Sequence, residues 1–242
     1  MNTTSVSTTT PKAQVRRSGE RGQTQISWLE SRHTFSFSDY YDPEHMAFRS
    51  LRVINEDWIK EGMGFGTHPH RDMEILTYVV SGELQHRDSM GNGRIIKPGE
   101  LQAMTAGSGI THSEFNPSRK EPVHLLQIWI MPNQRSLKPS YAEWKPEGNT
   151  TGPLTLLASP DAANGSVLVH QDAKLFLGKL GAGESVVHRT GSDRGLWLQV
   201  VKGEVQAGGA KLGAGDAVAV ENAVELPIGT ESGSEFLLFD LA

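Results

Sequence analysis

The sequence predicts an all-β protein made of two tandem antiparallel barrels, and three observations carry that prediction. Short runs rich in Val, Ile, Leu and Tyr, such as "SLRVINEDWI", "EILTYVVSGELQHRDS" and "VHLLQIWIMP", alternate apolar and polar residues at a spacing close to two. Glycine and proline, 26 and 12 of the 242 residues, punctuate the runs at Ser81-Gly82, Gly91-Asn92-Gly93 and Pro98-Gly99. The same grammar then recurs: "YVVSGELQ…IIKPGELQAM" in the first half aligns with "QVVKGEVQ…AKLGAGDAVAV" in the second. An internal duplication is the simplest account, with each copy closing into its own small barrel.

Taken in order, residues 1–17, "MNTTSVSTTTPKAQVRR", are Ser/Thr-rich without an apolar run and predict a disordered tail. The first barrel is expected over residues 18–135. Residues 136–155 are polar and proline-bearing, which predicts a linker, with one short helix around "PSYAEWK". The second barrel is expected over 156–242, from "LFLGKLGAGESVVH", "LWLQVVKGEVQAGG" and "EFLLFDL". At this length each barrel has enough chain for a core of its own.

Composition excludes several classes. A net charge of −5 and a pI near 6.0 leave no basic footprint for direct nucleic-acid binding. No segment approaches the roughly 20 apolar residues that cross a bilayer. The N-terminus lacks the apolar centre of a secretory signal, so the cytoplasm is the expected location. A monomer suffices, because two barrels can shield each other's sheet edges. With no cysteine, disulfides and thiolate chemistry are ruled out, and any metal has to be held by histidine and carboxylate.

"GTHPHRDME" supplies the imidazoles. His68 and His70 stand at i and i+2, so on a strand both rings point to one face. Alone, such a pair reads as readily as an exposed polar strand. A second pair, His112 and Glu114 in "GITHSEF", has the same spacing and, on a neighbouring strand, completes a square. Three neutral nitrogens and one carboxylate suit one divalent first-row ion: iron, manganese, nickel, cobalt, copper or zinc. Glu74 shares the parity of His68 and His70 but lies about 13 Å further along an ideal strand from His70. Glu114 is therefore the expected fourth ligand, and Glu74 has a supporting or packing role.

These residues resemble the cupin motifs. Gly62, His68, His70, Glu74 and Gly82 follow the first, with the last glycine one residue late; Pro98-Gly99, Gly109, His112 and Asn116 follow the second. Within the cupins the chain resembles the pirin family, and more closely its bacterial members with quercetin 2,3-dioxygenase activity. The segments that carry this are "HTFSFSDYYDP", "GTHPHRDMEILTYVVSGEL", "HRDSMGN", "PGELQAMTAGSGITHSEFNPS" and "LLQIWIMP". The resemblance implies a bicupin whose first barrel alone binds metal, commonly Fe(II), through His68, His70, His112 and Glu114. The usual carboxylate position, five residues after the second histidine, is Ile75 here, which again favours Glu114. The second half has His170 and His188 but no His-X-His.

The implied substrates are a flavonol, or a related phenolic, and O2. A metal lowers the pKa of the flavonol 3-hydroxyl, Glu114 takes its proton as catalytic base, the heterocycle opens and carbon monoxide leaves. Phe35, Phe37, Tyr40, Tyr41, Met46 and Phe48 offer an apolar mouth, as readily as they offer core. His33 and Gln127 are further pocket candidates, while His86 reads as structural. The alternative is a non-enzymatic, redox-responsive iron protein that binds a transcription factor or a metabolic enzyme.

Overall fold

The computed structural model describes residues 12–147 and 152–242. Two barrels are present, each a large sheet closed by a smaller one. In the first, a seven-stranded sheet runs in the order Ser140–Trp144, Leu101–Thr105, Glu74–Ser81, Val123–Ile130, Leu51–Ile59, Leu29–His33, Gly22–Gln25. Facing it, a four-stranded sheet runs Gly64–His70, Ile110–Phe115, Leu84–Asp88, Gly93–Ile96. The second barrel repeats the plan with Ala217–Glu221, Gly195–Ala207, Ser234–Leu241, Ala173–Leu180 and Leu154–Ser159 side by side, closed by Ser185–Arg189 against Glu225–Gly229.

The largest core lies between the barrels, not inside either. On Glu74–Ser81, Leu76, Tyr78 and Val80 point toward the second barrel, where they join Leu175, Leu177, Leu237 and Phe239. Val79, of the other parity, packs inside the first barrel with Leu84, Ile96 and Leu125. This strand is buried on both faces, so its sequence is an almost continuous apolar run. Each large side chain so buried contributes about 1.5–3 kcal/mol, which makes the two barrels one folding unit. Tyr78 also donates its hydroxyl across the interface to Glu235 Oε1 at 2.8 Å.

Two expectations are corrected. Lys12–Arg16, expected in a disordered tail, is a strand paired antiparallel with Ala217–Glu221 of the second barrel. An exposed edge of backbone N–H and C=O groups accepts such a strand whatever its side chains, and the buried Arg16 anchors it by donating to the Thr34 carbonyl and the Tyr40 hydroxyl. The rest of the expected tail, 1–11, lies outside the described residues. In the expected linker, "PSYAEWK" forms the strand Ser140–Trp144 against Leu101–Thr105, not a helix. Alternate burial ending on a fully buried Trp144 explains that choice. Residues 148–151 of the linker lie outside the described residues.

Candidate metal centre

Gly64–His70 and Ile110–Phe115 are neighbours in the small sheet, with His112 directly opposite His68 and Ile110 opposite His70. A bulge between His112 and Glu114 shifts the register so that Glu114 faces Phe65. Gly64 makes this close approach possible, since a Cβ there would sit 2.1 Å from the Glu114 carbonyl oxygen.

The structure brings three imidazoles together. Ligand atoms of His68, His70 and His112 lie within 4.8 Å of one another, and the Nε2 atoms of His68 and His112 are 3.1 Å apart. Two nitrogens bound to one first-row ion at about 2.1 Å each stand roughly 3–4 Å apart, so this donor set fits such an ion. His68 Nδ1 faces the Gly66 carbonyl at 2.8 Å, which leaves Nε2 free to ligate. His112 is buried, and its Nδ1 has no hydrogen-bond partner. Burial, then the neighbouring imidazoles, pushes His70 down to about 4 and His112 down to about 3. Both rings are therefore neutral near pH 7, the form that binds metal.

Glu114 enters this cluster through His112. With His112 and His86 it forms a second group of ligand atoms within 4.8 Å. Its buried carboxylate accepts hydrogen bonds from Gln102 Nε2 at 2.7 Å and Thr77 Oγ1 at 3.3 Å on one oxygen, and from Gln127 Nε2 at 2.8 Å on the other. His86 faces Asp88 at 3.1 Å and stacks on Tyr141. Its Nδ1 is buried without a partner, a sign that it belongs to this polar centre and not only to the framework.

Glu74 has a different place. Its carboxylate accepts from the Thr105 hydroxyl at 3.0 Å and from the His170 N–H at 3.3 Å, so it ties the two barrels together instead of supporting the histidines.

A cavity of about 320 Å³ opens beside the histidines. His68, His70, Glu114 and Gln127 line it; Phe37, Phe65 and Trp129 give it aromatic walls; His33, Asn55 and Asp57 add further polar groups. Trp129 stands edge-on to both His70 and Phe37, with ring centroids 5.1 and 5.4 Å away. Of the expected pocket residues, Phe37, His33 and Gln127 line the cavity. Phe35 and Phe48 do not: both pack on Trp197, at 4.9 and 5.6 Å, in the core between the barrels. Met46 lies on the surface, 39% exposed, and so does Tyr41. Tyr40 stacks on His33 from outside the lining.

Sequence reasoning missed Thr77, Gln102, Asn55, Asp57 and Trp129. Four of these five share one signal, a polar residue interrupting an apolar run at the inward phase. Asp57 is buried; burial first, with the negative charge of Glu114 adding, pushes it up to about 7 against a hydrogen bond from Ser31.

Residues 14–130 match the family model described as Pirin, and residues 156–241 match one described as Quercetinase C-terminal cupin domain. A curated relative from Escherichia coli (strain K12), a quercetin 2,3-dioxygenase, is 49% identical over 227 residues, 94% of this chain and 97% of the relative. The chain belongs to the pirin family. A second relative, the pirin-like protein of Caulobacter vibrioides, is 37% identical over 223 residues, covering 91% of this chain and 96% of its own. Among solved structures, the bacterial pirin YhhW from Escherichia coli in complex with nickel(II) superposes with a TM-score of 0.91 at 47% identity, covering 95% of this chain and 99% of that one. The bicupin architecture of this pirin-family chain thus agrees with the sequence reading.

Proposed function

We propose that this pirin-family protein is a metal-dependent dioxygenase of the quercetin 2,3-dioxygenase type, which opens a flavonol heterocycle with O2 and releases carbon monoxide. The observation that carries the reading is the cavity itself: imidazoles and a carboxylate share its lining with aromatic walls. Its volume of about 320 Å³ suits one flat ligand of two or three rings. The name of the relative from Escherichia coli supports the same reaction.

His68, His70, His112 and Glu114 would hold one divalent ion, Fe(II) on this reading. Such an ion supplies Lewis acidity toward the adjacent 3-hydroxyl and 4-carbonyl oxygens of a flavonol. Glu114 takes the 3-hydroxyl proton. Gln102, Thr77 and Gln127 fix the orientation of its carboxylate beforehand, so little reorganisation accompanies the transfer. Phe37 and Trp129 confine the rings and keep bulk water from the reacting edge. The protein is read as a cytoplasmic monomer without direct nucleic-acid or membrane partners, and the mutual cover of its two large sheets favours the monomer.

The test is to load metal-free protein anaerobically with Fe(II), add quercetin, admit air, and follow flavonol absorbance together with carbon monoxide. Turnover that disappears in His112→Ala supports the reading. Metal retained without turnover across Fe, Mn, Ni, Co and Cu overturns it in favour of the redox-responsive regulator.

A further inference from the structure

One polar part of the cavity lining, on Leu29–His33 and Leu51–Ile59, is not used by the chemistry above. Ser31 and His33 stand at i and i+2 on one strand, Asn55 and Asp57 at i and i+2 on the next, and the register sets Ser31 opposite Asp57 and His33 opposite Asn55. All four side chains are buried and line the cavity. All four have partners. His33 Nδ1 meets Asn55 Oδ1 at 2.8 Å and Nε2 meets the Thr24 hydroxyl at 2.8 Å, while the Ser31 hydroxyl bonds Asp57. Asp57 Oδ1 has none.

A buried acceptor left unbonded is costly and calls for an explanation. Structural needs do not supply one. The position corresponding to Asp57 in the second barrel is Gly178, against which the Phe236 ring packs directly, so the frame closes there without a carboxylate. A cavity with aromatic walls and a buried carboxylate in its lining matches a planar ligand carrying a hydroxyl besides the one that meets the metal.

We propose that Asp57 is the specificity-determining residue of this pocket, accepting a hydrogen bond from a phenolic ring hydroxyl other than the flavonol 3-hydroxyl. The assignment rests on the flavonol reading above and deepens it: the pocket selects polyhydroxylated over bare flavonols. One such bond to a buried carboxylate corresponds to roughly 10–100-fold in affinity.

The experiment is an anaerobic titration of metal-loaded protein with quercetin and with 3-hydroxyflavone, which keeps the 3-hydroxyl and 4-carbonyl but has no other hydroxyl. Wild type is expected to bind quercetin at least about tenfold more tightly. In Asp57→Leu and Asp57→Ala the ratio of the two Kd values collapses to within about twofold, while Asp57→Asn, which keeps an acceptor oxygen, retains most of it. A ratio that is unchanged in the apolar variants, or absent in wild type, overturns the proposal. Air is then admitted to the same samples. Flavonol that is bound but not consumed overturns the dioxygenase reading alone, because the Kd ratio still decides the role of Asp57. Wild type that binds neither flavonol overturns both.

Discussion

One row of inward-facing residues crosses the large sheet of each barrel, and the two rows align position by position through the duplication. In the first barrel, successive cross-strand partners are Gln102, Thr77, Gln127, Asn55 and His33. In the second they are Val218, Leu198, Leu238, Phe176 and Leu156. The small sheets differ in the same way. Where His68 faces His112 and His70 faces Ile110, the second barrel sets Val186 opposite Ile228 and His188 opposite Leu226. His188 is locked 2.8 Å from Asp240, which also accepts from Arg194; although burial opposes the charge, these partners hold Asp240 down at about 2. The difference teaches that strand order and register are neutral toward function. A polar row, knitted by its own hydrogen bonds, leaves a cavity and orients a carboxylate; an apolar row fills the same volume.

The sharpest way to break this comparison is to exchange losses between equivalent positions. His112→Ala is expected to reduce bound metal from near one per chain to near zero by elemental mass spectrometry, with the fold retained. Its counterpart Ile228→Ala should leave metal content unchanged and cost about 2–5 kcal/mol in denaturant unfolding, as a cavity in a packed core does. Equal metal loss in both would sink the division of labour.

A smaller effect comes from copying one residue of the apolar row into the polar one. Gln102→Val, after Val218, deprives Glu114 of its 2.7 Å donor. Turnover is expected to fall about 10–100-fold with metal still bound, the usual scale for groups that orient ligands. Steady-state kinetics beside metal analysis checks it, and unaltered kcat would show that the row does not orient the base.

The mildest test concerns stability. Burial pushes Asp57 up to about 7 in the folded protein against an ordinary value of 3.8. Between these values the folded state keeps a proton that the unfolded state releases, so stability falls as pH rises from about 4 to 7 and is level above. Asp57→Asn should remove that decline and gain up to about 4 kcal/mol at pH 8, with little difference at pH 4. Parallel pH profiles for the two proteins would show that burial does not hold the proton there.

The histidines were legible because i, i+2 spacing fixes a face regardless of the rest of the fold. The bicupin plan was legible because the turn grammar repeats. Phe35 and Phe48 were misplaced for a physical reason: they lie between the strands Leu29–His33 and Leu51–Ile59, where alternation no longer fixes which way a side chain points. Thr77 and Gln127, lone polar residues within "EILTYVV" and "LLQIWI", carried the signal of the polar row, but its meaning emerges only when the duplicated halves are set side by side. Lys12–Arg16 and Ser140–Trp144 hid in polar segments because backbone pairing to an open edge needs no apolar pattern.

The pairing of Lys12–Arg16 with Ala217–Glu221 also bears on the order in which the molecule folds. During synthesis this strand has no partner until some 200 further residues have followed it. Closing so long a loop costs about 5 kcal/mol of chain entropy, which must be met by contacts already formed. The second large sheet therefore gains this edge strand late, after the first barrel has its scaffold, and synthesis of the whole chain precedes the native state. Cleavage between the first strand and the first barrel would strip the edge from the barrel farthest away in sequence.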